Sequence, residues 1–152
     1  MDVRTIALCA LWVIGAALGG PACVKGGSAS NTDQAGDQAV EYRRVQLSSQ
    51  QSGALTDLAL SRMTQGRVPE DVAMVVTPQP ADLPKGTVLV AVQFGSCGHS
   101  LGRARIENRT LVIEKERPDG AGPCAGMIEF AGLVVSTPAD ATIEDARVEA
   151  VA

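Results

Sequence analysis

Cys97, His99 and Cys124 are the residues whose types most readily suggest chemistry. Sulfur and imidazole suit zinc or copper, so these three form a candidate metal set, with His99 as its centre. They fall one donor short of a closed tetrahedral site, and His99 is the only histidine in the chain. A hydrolase reading sets Ser96 or Ser100 against His99 with a carboxylate behind it. Sequence neighbours seldom face each other productively, however, and the Gly-x-Ser-x-Gly turn that presents a nucleophile is not found. A third reading joins Cys97 to Cys124 in a disulfide and leaves His99 at a solvent-edged turn. The spacing is not Cys-x-x-Cys, which disfavours a reactive dithiol. Glu114, Glu116 and Asp119 resemble paired carboxylates only by proximity, since alternation puts Glu114 and Glu116 on a solvated strand face.

The choice among these readings turns on the compartment, because thiols pair in oxidising surroundings and stay reduced in the cytosol. Of the four cysteines, Cys9 lies in an apolar run from Thr5 to Gly19 that follows a short basic start at Arg4. About fifteen residues is short for a spanning helix and right for the apolar region of an export signal. Gly20-Pro21-Ala22 then leads to Cys23. This end resembles a bacterial lipoprotein signal, in which cleavage leaves the cysteine as the lipidated N-terminus. The resemblance implies a signal peptide over residues 1–22, a lipid anchor on Cys23 that attaches without spanning, and, from Val24, outer-membrane sorting in the bacterial cell envelope. Secretion or periplasmic release after Ala22, with Cys23 unmodified, stays open, as does an uncleaved anchor. On any of the exported readings, Cys97 and Cys124 are expected to form one disulfide, closing a loop of about 28 residues worth roughly 3.5 kcal/mol.

Lys25 to Ala39 is rich in Gly, Ser, Asn, Asp and Gln and reads, with Cys23, as a flexible tether over residues 23–39, with a reach of roughly 20 Å. Residues 40–152, about 110 in number, suffice for one modest core. The formal net charge is −4, and loss of Asp2 with Arg4 leaves it unchanged. No basic footprint for nucleic acid is present. Tyr42, Phe94 and Phe130 are the only aromatic residues beyond the leader, too few for a base-stacking platform.

The elements that must position the cysteines are mainly strands. Val40 to Leu47 alternates until Arg43-Arg44, and Ser48 to Gly53 is polar and turn-like. Ala54 to Gln65 suits a helix, with Leu55, Leu58, Ala59 and Met63 near one face and Gly66 as a stop, although a strand across Leu58 and Leu60 also fits. Val72 to Thr77 is a strand that must end before Pro78 and Pro80. Thr87 to Phe94 is the clearest strand, with Val88, Val90, Val92 and Phe94 on one face and Leu89 and Ala91 on the other. Leu101 to Glu107 and Thr110 to Glu116 form a hairpin about Asn108-Arg109. Its register pairs Ile106 with Leu111, Ala104 with Ile113, Arg105 with Val112 and Arg103 with Glu114. Cys124 to Phe130 is expected to aim the Cys124 sulfur inward beside Ile128 and Phe130. Leu133 to Ser136 and Ala146 to Val151 complete the set. The pattern predicts a mainly β domain, a compact antiparallel sandwich or partial barrel with at most one short helix.

Two stretches, Val45 to Gly53 (VQLSSQQSG) and the run GTVLVAVQFGSCGHSLGRARIENRTLVIEKERPDGAG, resemble the PrcB-like domain of exported bacterial proteins. That resemblance implies a role in binding and stabilising an exported protease or other envelope component, with no catalytic residues to carry over and no cofactor. Arg103, Arg105 and Glu114 on the hairpin's outer face are the candidate binding surface, and solubility through ion pairing is the simpler explanation of the same residues. The sequence therefore points to a membrane-tethered binding or assembly module. A small metal-binding envelope protein or a hydrolase, each using His99, is the alternative.

Overall fold

The computed structural model describes residues 37–120 and 122–151. The expected signal peptide, with Cys9, and Cys23 with nearly all of the expected tether lie outside the described residues. The described chain forms β1 (Gln38–Val40), β2 (Tyr42–Val45), α1 (Ser49–Ser61), β3 (Val72–Val75), β4 (Thr87–Gly95), β5 (Ser100–Glu107), β6 (Thr110–Glu116), β7 (Ile128–Ser136) and β8 (Asp145–Ala150). They make a sandwich of two four-stranded sheets, ordered β1-β5-β6-β8 and β2-β7-β4-β3.

The single strand expected over Val40 to Leu47 is two strands in different sheets, parted at Glu41. Val40 and Tyr42 both pack against the core between the sheets, so the chain can change sheets between them and keep both side chains inside. The Tyr42 hydroxyl fastens this crossing by donating to the carbonyls of Gly102 at 2.6 Å and Leu101 at 3.2 Å. Burial pushes its pKa upward.

β4 is buried on both faces, as its double apolar pattern requires. Val90, Val92 and Phe94 join Leu133, Val135, Leu111 and Ile113 between the sheets. Leu89 and Ala91 face outward, where Leu55 and Ala59 of α1 cover them. The helix wins over the strand reading at this segment, and it begins earlier than expected. Ser48 caps it, with its hydroxyl accepting from the Gln51 amide at 3.2 Å and the Gln51 side chain accepting from the Ser48 amide at 2.9 Å. That Ser-x-x-Gln box occupies the stretch read as a polar turn. The helix ends with Arg62 as its C-terminal cap, ahead of Gly66.

The hairpin keeps the expected pairs Ile106–Leu111, Arg105–Val112 and Ala104–Ile113, and Glu107 meets Thr110 next to the turn. Asn108 and Arg109 both take positive φ, at 46° and 68°. Arg109 holds this conformation while its guanidinium pairs with Glu144 and its carbonyl accepts the Glu144 amide at 2.8 Å. The expected Arg103–Glu114 pair does not form. A bulge between Leu101 and Ala104 shifts the register so that Leu101 meets Lys115. Leu101 and Ala104 are both buried, and a strict period of two cannot point residues three apart to the same side; one extra residue can.

Two further corrections concern the chain's last third. β7 is one unbroken strand over Ile128–Ser136, and Cys124 precedes it in a loop, exposed, so its sulfur is not aimed inward. β8 runs parallel to β6, an exception to the antiparallel expectation, because the Glu144 bond to Arg109 starts β8 beside the start of β6.

Gly132 shows why β7 is not interrupted by its glycine. It pairs with Val45 on one side and Ala91 on the other. A Cβ there would sit 2.7 Å from Val45 Cγ2, 3.0 Å from Leu47 Cδ2 and 3.1 Å from the Val45 carbonyl oxygen. Gly132→Ala is accordingly expected to destabilise the domain by about 1–3 kcal/mol, as a lowered urea midpoint with an unchanged slope.

Candidate functional site: the cross-linked end of the sandwich

β4 ends at Gly95, and the turn Ser96 to His99 leads into β5 at the same end where the 117–127 loop feeds β7. Cys97 and Cys124 are joined there by a disulfide, with Cα atoms 5.6 Å apart. The thiols that a metal reading requires are therefore consumed by each other. Among the described residues no group of three or more His, Cys, Asp or Glu side chains is arranged so that it could hold a metal ion. The His99 imidazole lies half-buried with Nδ1 2.9 Å from the Cys97 carbonyl oxygen. A carbonyl only accepts, so Nδ1 is the protonated nitrogen. The Ser96 hydroxyl donates to the Met127 carbonyl at 3.4 Å; the His99 amide donates to the Ser96 carbonyl at 3.0 Å, but among the described residues the imidazole bonds neither the Ser96 nor the Ser100 hydroxyl. The structure thus brings together the disulfide and His99, without a nucleophile and base in contact.

What the disulfide does hold in place is an apolar rim. Met127, Ile128 and Phe130 follow Cys124 directly and are 62%, 49% and 44% exposed. Ile128 and Phe130 share the outer face of their sheet, beyond the part of it that α1 packs against. Arg44 lies alongside on the inner face, its guanidinium carbon 5.8 Å from the centre of the Phe94 ring.

The expected binding face on the hairpin divides. Arg103 is exposed at the bulge, apart from Glu114. Arg105 reaches Glu114 at 2.7 Å, Glu107 at 2.6 Å and Glu149 at 2.8 Å, one carboxylate for each guanidinium nitrogen. Arg147 bonds the second oxygen of Glu107 at 2.8 Å. These charges knit β5, β6 and β8 together, and each guanidinium nitrogen of Arg105 already bonds a carboxylate. The Arg105 bond holds the Glu107 carboxyl below the ordinary carboxylate value. A lowered folded-state pKa gives stability that is complete above the unfolded-state value and is lost as pH falls through the folded one. Glu107→Gln should therefore flatten the decline in urea midpoint between about pH 5 and pH 3, with little change at neutral pH beyond the lost bonds.

The most buried ionic contact at this end escaped sequence reading. Lys115, 7% exposed, places Nζ 2.8 Å and 2.6 Å from the two carboxylate oxygens of Asp71. Asp71 also accepts the Gly95 amide at 3.1 Å. The signal was present in the alternation itself, because Lys115 follows Leu111 and Ile113 on the hairpin's inward parity.

Fold and site together define a disulfide-stapled, two-sheet β-sandwich with an exposed apolar rim beside the staple. Comparison with family models, curated proteins and solved structures finds no match to this chain.

Proposed function

We propose that the protein is an exported binding or assembly module, held at a bacterial envelope membrane through lipid on Cys23 and presenting its cross-linked end to an exported protein partner. The observation that carries this reading is the rim of Met127, Ile128 and Phe130, three large apolar side chains left about half in water directly beside a disulfide. Contiguous exposed apolar surface on a small domain marks an interaction site, and the covalent link limits the ordering cost of the loop that carries it. The partner would itself be exported, a protease or another envelope component stabilised by docking, which is the role that the sequence resemblance to PrcB-like domains implies. A photo-reactive residue at Met127 in intact envelopes should give a discrete cross-linked adduct. The same residue at Asn108, on the hairpin turn between β5 and β6, should give none. Equal labelling from both positions, or no adduct from Met127, would remove the proposal.

A further inference from the structure

The partner-facing rim is also an unfilled strand position. β2 pairs with β7 only as far as Val45 opposite Gly132. Beyond that point the chain leaves the ladder, and Leu47 comes to pack over Gly132 on the outer face. The first residues of β7, Ile128 to Ala131, pair with β4 on one side and, among the described residues, with no strand on the other.

Which backbone groups face the gap follows from two hydrogen bonds. The Ser136 amide donates to the Glu41 carbonyl at 2.9 Å, toward the β2 side. The Met127 carbonyl accepts the Ser96 amide at 2.8 Å, toward the β4 side. In an antiparallel ladder these directions alternate residue by residue, so even-numbered residues of β7 aim N–H and C=O toward β2 and its continuation. Ile128 and Phe130 thus present both polar backbone groups to the open edge, and they are the residues whose side chains are exposed. Between them stands Glu129, exposed, on the opposite face, and in no ion pair among the described residues.

We infer that this edge receives an extended peptide segment of the partner as an added strand, continuing the line of β2 antiparallel to β7. This rests on the reading of the rim as the docking surface and names what docks there. The segment has the form apolar-basic-apolar. Its apolar residues lie opposite Ile128 and Phe130, exchanging backbone hydrogen bonds with them, and its Lys or Arg lies opposite Glu129. A second copy of this chain suits the edge poorly. The register that lays Ile128 of one copy against Phe130 of the other sets Glu129 against Glu129, and like charges directly opposite are destabilising.

The test uses the purified protein and a fluorescent peptide, Gly-Thr-Val-Lys-Val-Thr-Gly with blocked ends, followed by fluorescence anisotropy and amide hydrogen exchange. The peptide should bind saturably and protect the amides of Ile128 and Phe130. Methylating both valine nitrogens should abolish binding, whereas methylating the lysine backbone nitrogen, which points to solvent, should leave it unchanged. Replacing the peptide lysine with glutamate should weaken binding by about tenfold, and Glu129→Lys should reverse that preference. Equal binding by the valine-methylated peptide overturns strand addition. So does the absence of peptide binding while a Met127 cross-linker still captures a partner, a result that leaves the docking rim standing. Concentration-dependent dimers that protect the same two amides without peptide overturn it in favour of a second copy. Failure of both peptide and cross-linker removes the rim and the strand together.

Discussion

Asp71→Ala is expected to destabilise the domain by about 2–3 kcal/mol, between the ranges for an exposed and a fully buried ion pair, because Lys115 is buried while the Asp71 side chain stays 29% exposed. The size follows from where Lys115 stands. Its backbone belongs to the inward parity of β6, and its ammonium is screened from water, with both Asp71 oxygens within 2.8 Å. Asp71 sits just ahead of β3 and also accepts the Gly95 amide at the end of β4, so one carboxylate ties both sheets together at the cross-linked end. Without it, the ammonium stays in a site shaped for a pair and the Gly95 amide loses its acceptor. Removing both charges has a different consequence, because an apolar pair requires no desolvated ions. Asp71→Ala with Lys115→Met should recover most of the loss. Urea unfolding of the two single variants and the double variant measures this directly. A loss below about 1 kcal/mol for Asp71→Ala would mean the pair behaves as a surface salt bridge.

The second large effect is expected from Cys97→Ser with Cys124→Ser, a loss of about 3.5 kcal/mol if the staple acts chiefly by restricting the unfolded chain over its loop of about 28 residues. Cys124 is exposed and Cys97 only partly covered, so a reductant can reach the bond in the folded protein. Wild-type protein in reductant should therefore unfold at the same urea concentration as the double serine variant. If the reduced and serine forms instead matched the oxidised protein, the disulfide would contribute nothing to the fold. Because the bond closes the loop that carries Met127, its loss should also reduce cross-linking from that position at urea-free conditions.

The sequence made the sandwich legible wherever alternation was unbroken. β4 and the tip of the β5–β6 hairpin follow directly from period two, down to individual pairs such as Ile106 with Leu111. Its reading went wrong where one residue altered the count. The bulge near Gly102 reverses the facing of Leu101 and separates Arg103 from Glu114. The sheet change at Glu41 looks locally like an ordinary strand, because Val40 and Tyr42 keep the same parity on either side of it. The start of α1 was hidden because a capping box and a polar turn share the same residue types. At the site, the pairing of Cys97 with Cys124 followed from the expectation of export, but its setting did not. The inward sulfur expected of Cys124 rests on an inward Ile128 and Phe130, but those two lie on the exposed outer face and β7 begins only at Ile128. Lys115 with Asp71, and the unfilled edge of β7, depend on which strands become neighbours, information that local patterning does not contain.

Export is the claim on which the staple, the tether and the docking rim all depend. Intact mass spectrometry of the protein isolated from the cell envelope tests it most directly. The expected mass is that of a chain beginning at Cys23, carrying a diacylglyceryl group, and two hydrogens lighter for Cys97 and Cys124. A chain that retains Met1 and alkylates at both Cys97 and Cys124 without prior reduction would contradict it.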